Sequence, residues 1–94
     1  MAKVALRNHF ASRLRGALMA RLNTAGIRST VEIESITGTR LHRVYVIAKQ
    51  FDRLRPSERQ DLIWRIVDQH LKPDEQLRVS MIFTVTPDEL SAQE

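Results

Sequence analysis

Residues 42–86 read HRVYVIAKQFDRLRPSERQDLIWRIVDQHLKPDEQLRVSMIFTVT, and the changes of period inside this stretch decide the fold. His42 to Ala48 is rich in Val, Ile and Tyr and almost continuously apolar, the pattern of a central strand that starts at about Leu41. Lys49 to Pro56 is polar and basic around Phe51 and Leu54, and Pro56 biases Arg55 away from helix, so a loop or short turn is expected. Ser57 with Gln60 three residues on matches a capping box and predicts a helix from there. On that helix Leu62, Ile63, Ile66, Val67 and Leu71 share one face, with Trp64 at its edge, and Glu58, Asp61, Arg65 and Asp68 share the opposite one. Lys72-Pro73-Asp74-Glu75 ends it. Leu77, Val79, Met81, Phe83 and Val85 then alternate with Arg78, Ser80, Ile82, Thr84 and Thr86, the period of a strand.

Working outward, Thr30 to Ile36 alternates branched apolar residues with Glu32 and Glu34, which predicts a strand with one wet face. Thr37-Gly38-Thr39-Arg40 breaks the pattern, so the first two strands form an antiparallel hairpin. Leu6, Phe10, Leu14, Leu18 and Leu22 recur every four residues, a helical stripe that Ala17 and Met19 widen, and Gly26 closes it. Gly16 inside that helix is expected to mark close packing. Thr86-Pro87-Asp88-Glu89 reads as the start of a short last helix. The expected fold is α+β, αββαβ(α), with a three-stranded mixed sheet covered on one face by the two long helices. Residues 1–90 are expected to make a single domain and 91–94 a disordered tail.

The chain of 94 residues has no cysteine, which excludes disulfides, thiolate ligands and Cys nucleophiles. No apolar run approaches the ~20 residues of a membrane span, so a soluble, cytoplasmic protein is expected, monomeric or weakly self-associating. Lys3, Arg7, Arg13, Arg15, Arg21 and Arg28 with no acid in the first 28 residues leave an organellar presequence as the alternative. Residues 1–65 hold 13 Lys and Arg against 5 Asp and Glu, whereas residues 66–94 hold 2 against 6. A basic body favours polyanionic partners, because bound cations release counterions from phosphates.

Groups for catalysis are scarce. His9, His42 and His70 lack metal-site spacing, Glu32/Glu34 and Asp74/Glu75 read as solvated charge, and glycines at 16, 26 and 38 make no phosphate loop. No enzyme and no bound cofactor are expected. Lys49, Arg53, Arg55 and Arg59 surround the start of the second helix, whose N-terminus adds partial positive charge, and are the expected docking residues for DNA or an acidic partner.

The run from Phe51 to Trp64 resembles the BolA family signature, Phe-x-Gly-x5-Arg-His-Arg-x-Val-Tyr, without a gap. Phe51 and Arg59 match by identity and Ile63 and Trp64 by class, whereas Arg53, Gln60 and Asp61 replace the glycine, the histidine and the second arginine. The resemblance covers roughly residues 30–90, with Val79-Ser80-Met81-Ile82 and Thr86-Pro87-Asp88-Glu89-Leu90 similar to the last strand and the following helix start. It implies a fold similar to type II KH domains, without the Gly-x-x-Gly loop of nucleic-acid-binding ones. It also implies two activities: DNA binding in transcription regulation and stress response, and association with a monothiol glutaredoxin to share a [2Fe–2S] cluster. The family's cluster ligands, a His or Cys in the hairpin loop and a His at the start of the last strand, fall on Gly38 and Arg78 here. Neither can ligate iron, and His42 is the one nearby substitute. A cluster-free binding and regulatory role is the expectation, with an adaptor role in iron–sulfur trafficking second and an unrelated αββαβ interaction domain third.

Overall fold

A computed structural model describes the backbone of residues 2–92 and side chains from Phe10 to Ala92. The chain runs α1 (Ala2–Thr24), β1 (Ser29–Ser35), β2 (His42–Ala48), a 3-10 turn (Lys49–Arg53), α2 (Pro56–His70), α3 (Pro73–Gln76), β3 (Val79–Val85) and α4 (Pro87–Ala92). β2 is central, antiparallel to β1 and parallel to β3, as the hairpin and the crossover through α2 require. α4 reaches two residues into the stretch expected as a tail, and residues 93–94 lie outside the described residues.

α1 buries Phe10, Leu14, Leu18 and Leu22, so its four-residue repeat is the packed face. Leu6 lies outside the described side chains. Met19 is exposed and does not widen that face. The helix stops because Gly26 adopts φ 81°, from which its N–H reaches the Asn23 carbonyl (3.0 Å) and the Ile27 N–H the Leu22 carbonyl (2.8 Å). Gly16 marks no close packing: it is exposed, and a Cβ there would meet nothing within 4 Å.

α2 starts two residues earlier than its sequence suggests. Arg55 is the N-cap, Pro56 the first helical residue, and the Glu58 carboxylate accepts the Arg55 N–H at 2.8 Å. Ser57 caps nothing because it already lies inside the helix. Ile63, Ile66 and Val67 are buried against α1 and the sheet, Leu71 caps the C-terminus in the core, and Leu62 and Trp64 pack on its margin. Lys72 to Glu75 does more than end α2. It opens α3, with Pro73 first and the Glu75 carboxylate accepting the Lys72 N–H at 2.9 Å.

β3 carries the largest departure from its own pattern. A register shift between His42 and Arg43 aligns His42 with Val79 but Arg43 with Met81, leaving Ser80 as an extra residue. One inserted residue exchanges the faces that follow. Val79 is buried, and beyond the bulge Ile82, Thr84 and Thr86 point into the core. Met81, Phe83 and Val85, in register with Arg43, Tyr45 and Ile47, lie on the face turned away from α1 and α2, where Phe83 stacks on Tyr45 at 4.9 Å. The buried side chains form one cluster under the two long helices, with Phe51 of the 3-10 turn at its centre and wholly inaccessible.

Candidate functional site

The four cations expected to act together do not share a surface. Lys49, Arg53 and Arg55 are exposed where the chain leaves β2 and enters α2, whereas Arg59 is buried, only 5% exposed. Helix geometry explains the split. Arg59 precedes Ile63 by four residues and Ile66 by seven, so it rides the apolar face of α2.

Its guanidinium finds acceptors rather than solvent. Nε–H donates to the Leu54 carbonyl (3.0 Å), Nη1 to the Thr84 carbonyl (3.2 Å) and Glu89 Oε1 (2.7 Å), and Nη2 to Glu89 Oε2 (3.2 Å). This fork on a carboxylate ties α2 to the end of β3 and to α4. The Arg59 guanidinium, with the Thr86 N–H, holds the Glu89 carboxyl below the ordinary value. Arg59 is therefore removed from the docking set, and its role is to hold three elements together.

Gln60, expected as the capping-box partner of Ser57, completes the same seam instead. Its Nε2 donates to the Ile82 carbonyl (2.8 Å) and to Thr84 Oγ1 (3.1 Å), and its Oε1 accepts the Trp64 Nε1–H (3.1 Å). The Ile82 and Thr84 carbonyls belong to β3, an edge strand among the described residues, and both accept side-chain donors from α2. Gln60 and Arg59 thus tie α2 to two carbonyls of this edge strand, and a covered edge is a poorer template for another chain. The sequence signal was present: two long polar donors, adjacent in the chain, one of them at a buried helical position.

What remains of the docking surface is Lys49, Arg53 and Arg55. Among the described residues none of these three forms an ion pair; the pairs formed are Arg13–Glu75, Arg43–Glu34 and Arg59–Glu89. Lys49 and Asp52 line two grooves, one shared with Arg53 and the other with Asp88. The α2 N-terminus adds less positive potential than expected, because Glu58 already satisfies its cap. Of the four acids read as solvated charge, Glu32, Glu34 and Asp74 are exposed, Glu34 while pairing with Arg43 across the hairpin, and Glu75 is half-buried and pairs with Arg13.

Residues at the family's ligand places do not make a cluster site. Gly38 turns the hairpin loop with φ 81° and has no donor atom, and Arg78 offers only a guanidinium. His42 lies beside Arg78, its backbone N–H donating to the Arg78 carbonyl at 2.8 Å, but its Nδ1 is buried without a partner among the described residues and its ring packs on Phe10 at 5.1 Å. His70 is exposed at the far end of α2. Among the described residues no three His, Cys, Asp or Glu side chains converge as metal ligands. One imidazole is half of the expected ligand pair, so these residues do not fit a shared [2Fe–2S] cluster. Among the described residues no helix is long and apolar enough to cross a membrane.

Among solved structures the chain superposes on BolA1 from Arabidopsis thaliana with a TM-score of 0.64 and 23% identity, over 85% of this chain and 94% of that one. No protein-family model matches the chain, and no curated protein is significantly similar to it. The superposition shows the BolA-like fold expected from the Phe51 to Trp64 run.

Proposed function

We propose that this BolA-like fold serves a non-enzymatic binding and regulatory protein that docks DNA through Lys49, Arg53 and Arg55. The observation that carries this reading is the exposure of the three cationic side chains between the end of β2 and the start of α2, none of them in an ion pair among the described residues. Phosphates would displace counterions there, and Asp52 and Asp88 limit the site to a few contacts. A short cationic patch of this kind gives weak, salt-sensitive binding with little sequence readout.

Fluorescence anisotropy of a labelled duplex at several salt concentrations tests it. Affinity should fall with salt, and Arg55→Ala should lower the slope of log affinity against log salt by about 1. Arg59→Lys should leave that slope unchanged, because Arg59 faces inward. Absence of salt-dependent retention at ~10 μM protein, a concentration ample for non-specific duplex binding at low salt, would overturn the DNA reading. If an added monothiol glutaredoxin then co-elutes with the protein and Arg55→Ala abolishes it, the surface belongs to an acidic protein partner instead. Such docking would carry no cluster ligand from Gly38 or Arg78.

A further inference from the structure

A second basic place lies at the opposite end of the sheet. β2 has seven residues, so its His42 end stands ~20 Å from Lys49. Here Phe10, Thr39, Arg40, His42 and Arg78 line a cleft of about 750 Å³, within the size range of small-ligand sites. The hairpin loop supplies Thr39 and Arg40, the first residue of β2 supplies His42, and the residue before β3 supplies Arg78.

Among the described residues the lining has donors and positive charge but no acid. Of the acids on the elements that flank it, Glu34 is paired with Arg43 and Glu75 with Arg13. Arg78 is held over the Phe10 ring at 5.7 Å, and His42 packs against the same ring. One aromatic side chain therefore fixes two of the cleft's cationic or donor groups in place. His42 Nδ1 is enclosed without a hydrogen bond among the described residues, so a ligand contact by this ring falls to Nε2. Thr39 Oγ1 already accepts the Leu41 N–H (3.0 Å) and donates to the Ile36 carbonyl (2.8 Å), so it shapes the loop and is no ligand donor.

We propose that this cleft binds a phosphate group, with Arg40 and Arg78 as paired guanidinium donors and His42 Nε2 as the third contact. Planar guanidinium forks match the oxygens of a phosphate, and two of them with an imidazole suit a dianion. A free monoester supplies the dianion, and a nucleic-acid backbone diester, a monoanion, presents two equivalent oxygens to the same forks. The site is separate from the surface of Lys49, Arg53 and Arg55 and does not rest on it.

Titration of the isotope-labelled protein with inorganic phosphate, a 5′-mononucleotide, and an oligonucleotide lacking terminal phosphates tests the assignment by NMR. Saturable shifts at Arg40, His42 and Arg78 are expected, with affinity in the range of ~1 mM or tighter. Arg40→Gln, at an exposed loop position, should weaken binding about tenfold while leaving thermal unfolding unchanged. Arg78→Lys keeps charge and packing over Phe10 but loses the fork, and should weaken it by a similar factor. Preference for the mononucleotide assigns the phosphate to a free ligand; preference for the oligonucleotide assigns it to a nucleic-acid backbone. Linear, non-saturating shifts, or shifts that persist unchanged in both variants, would overturn the proposal. A Lys49→Gln/Arg53→Gln/Arg55→Gln variant should bind phosphate normally, which separates failure here from failure of the DNA-docking reading.

Discussion

The guanidinium carbon of Arg59 lies 5.8 Å from the centre of the Phe51 ring, so the two residues that match the BolA signature by identity touch each other in the interior. A signature made of interior contacts reports on architecture. Phe51 fills the centre of the core from the 3-10 turn, and Arg59 roofs it while binding Leu54, Thr84 and Glu89. The fold likeness and the absence of inherited cluster ligands are therefore compatible, since they rest on different residues.

Arg59→Ala should be strongly destabilising. It leaves the Leu54 and Thr84 carbonyls without their donor and removes the clamp on Glu89, losses that together correspond to ~2–4 kcal/mol, the upper part of which is tempered by the partly exposed Glu89. Urea unfolding of the variant checks this. A loss below about 0.5 kcal/mol, the size of an ordinary surface substitution, would show that the guanidinium is not the tie between α2, β3 and α4.

Two carboxylates make stability depend on acid. The Arg59 guanidinium and the Thr86 N–H hold Glu89 below its ordinary value of 4.5, and the Lys72 N–H and Arg13 hold Glu75 below the same value. A group with a depressed folded pKa binds its proton less readily folded than unfolded. Its contribution is complete above the ordinary value and is lost as pH falls through the lower folded one. The melting temperature should accordingly drop as pH is lowered from about 5 toward 3, and a Glu75→Gln/Glu89→Gln variant should show a shallower drop. Parallel curves for the two proteins would mean that these carboxylates do not set the acid limb.

Local chemistry was the legible part of the sequence, and one of its rules recurs three times. Arg55-Pro56-Ser57-Glu58, Lys72-Pro73-Asp74-Glu75 and Thr86-Pro87-Asp88-Glu89 each place proline first in a helix and return the glutamate to the N-cap N–H. Only the last shows itself plainly, because Thr86 adds a side-chain acceptor for the Glu89 N–H at 3.1 Å. The first is disguised by Ser57 and Gln60, and the second by resembling a helix stop. The Ser80 bulge, by contrast, depends on pairing with β2 and has no mark in the alternation of β3, which continues through it. The place of Arg59 on the apolar face of α2 was readable, but its partners were hidden for a similar reason: the acceptors at positions 84 and 89 are brought to it only by the fold.

The start of α2 can be tested directly. Glu58→Ala should cost ~0.5–1 kcal/mol by freeing the Arg55 N–H, whereas Ser57→Ala should be neutral or slightly stabilising. Thermal unfolding of both variants distinguishes this start from one at Ser57, where the costs would be reversed.

Gln60 links the seam to an optical signal, since Trp64 is the chain's one tryptophan and its indole N–H ends on Gln60 Oε1 at 3.1 Å. Gln60→Leu should remove that acceptor and the cover on the Ile82 carbonyl together. Loss of ~1–2 kcal/mol and a shifted emission maximum are expected, with increased self-association in sedimentation as the β3 edge is uncovered. Unchanged emission would break the link between Gln60 and Trp64.

The glycines in and after α1 should respond in opposite directions to the same substitution. Gly26 holds φ 81° at the helix end, where a Cβ is strained although nothing stands nearby, so Gly26→Ala should cost ~1 kcal/mol. Gly16 has ordinary helical surroundings, solvent on its side, and no atom within 4 Å of the place a methyl group would take, so Gly16→Ala should gain up to ~1 kcal/mol through helix propensity and a less flexible unfolded chain. Urea midpoints measured on both variants carry the comparison. A stability loss at Gly16 would place a further neighbour against that face of α1, and so would point to an interface there in the assembled protein.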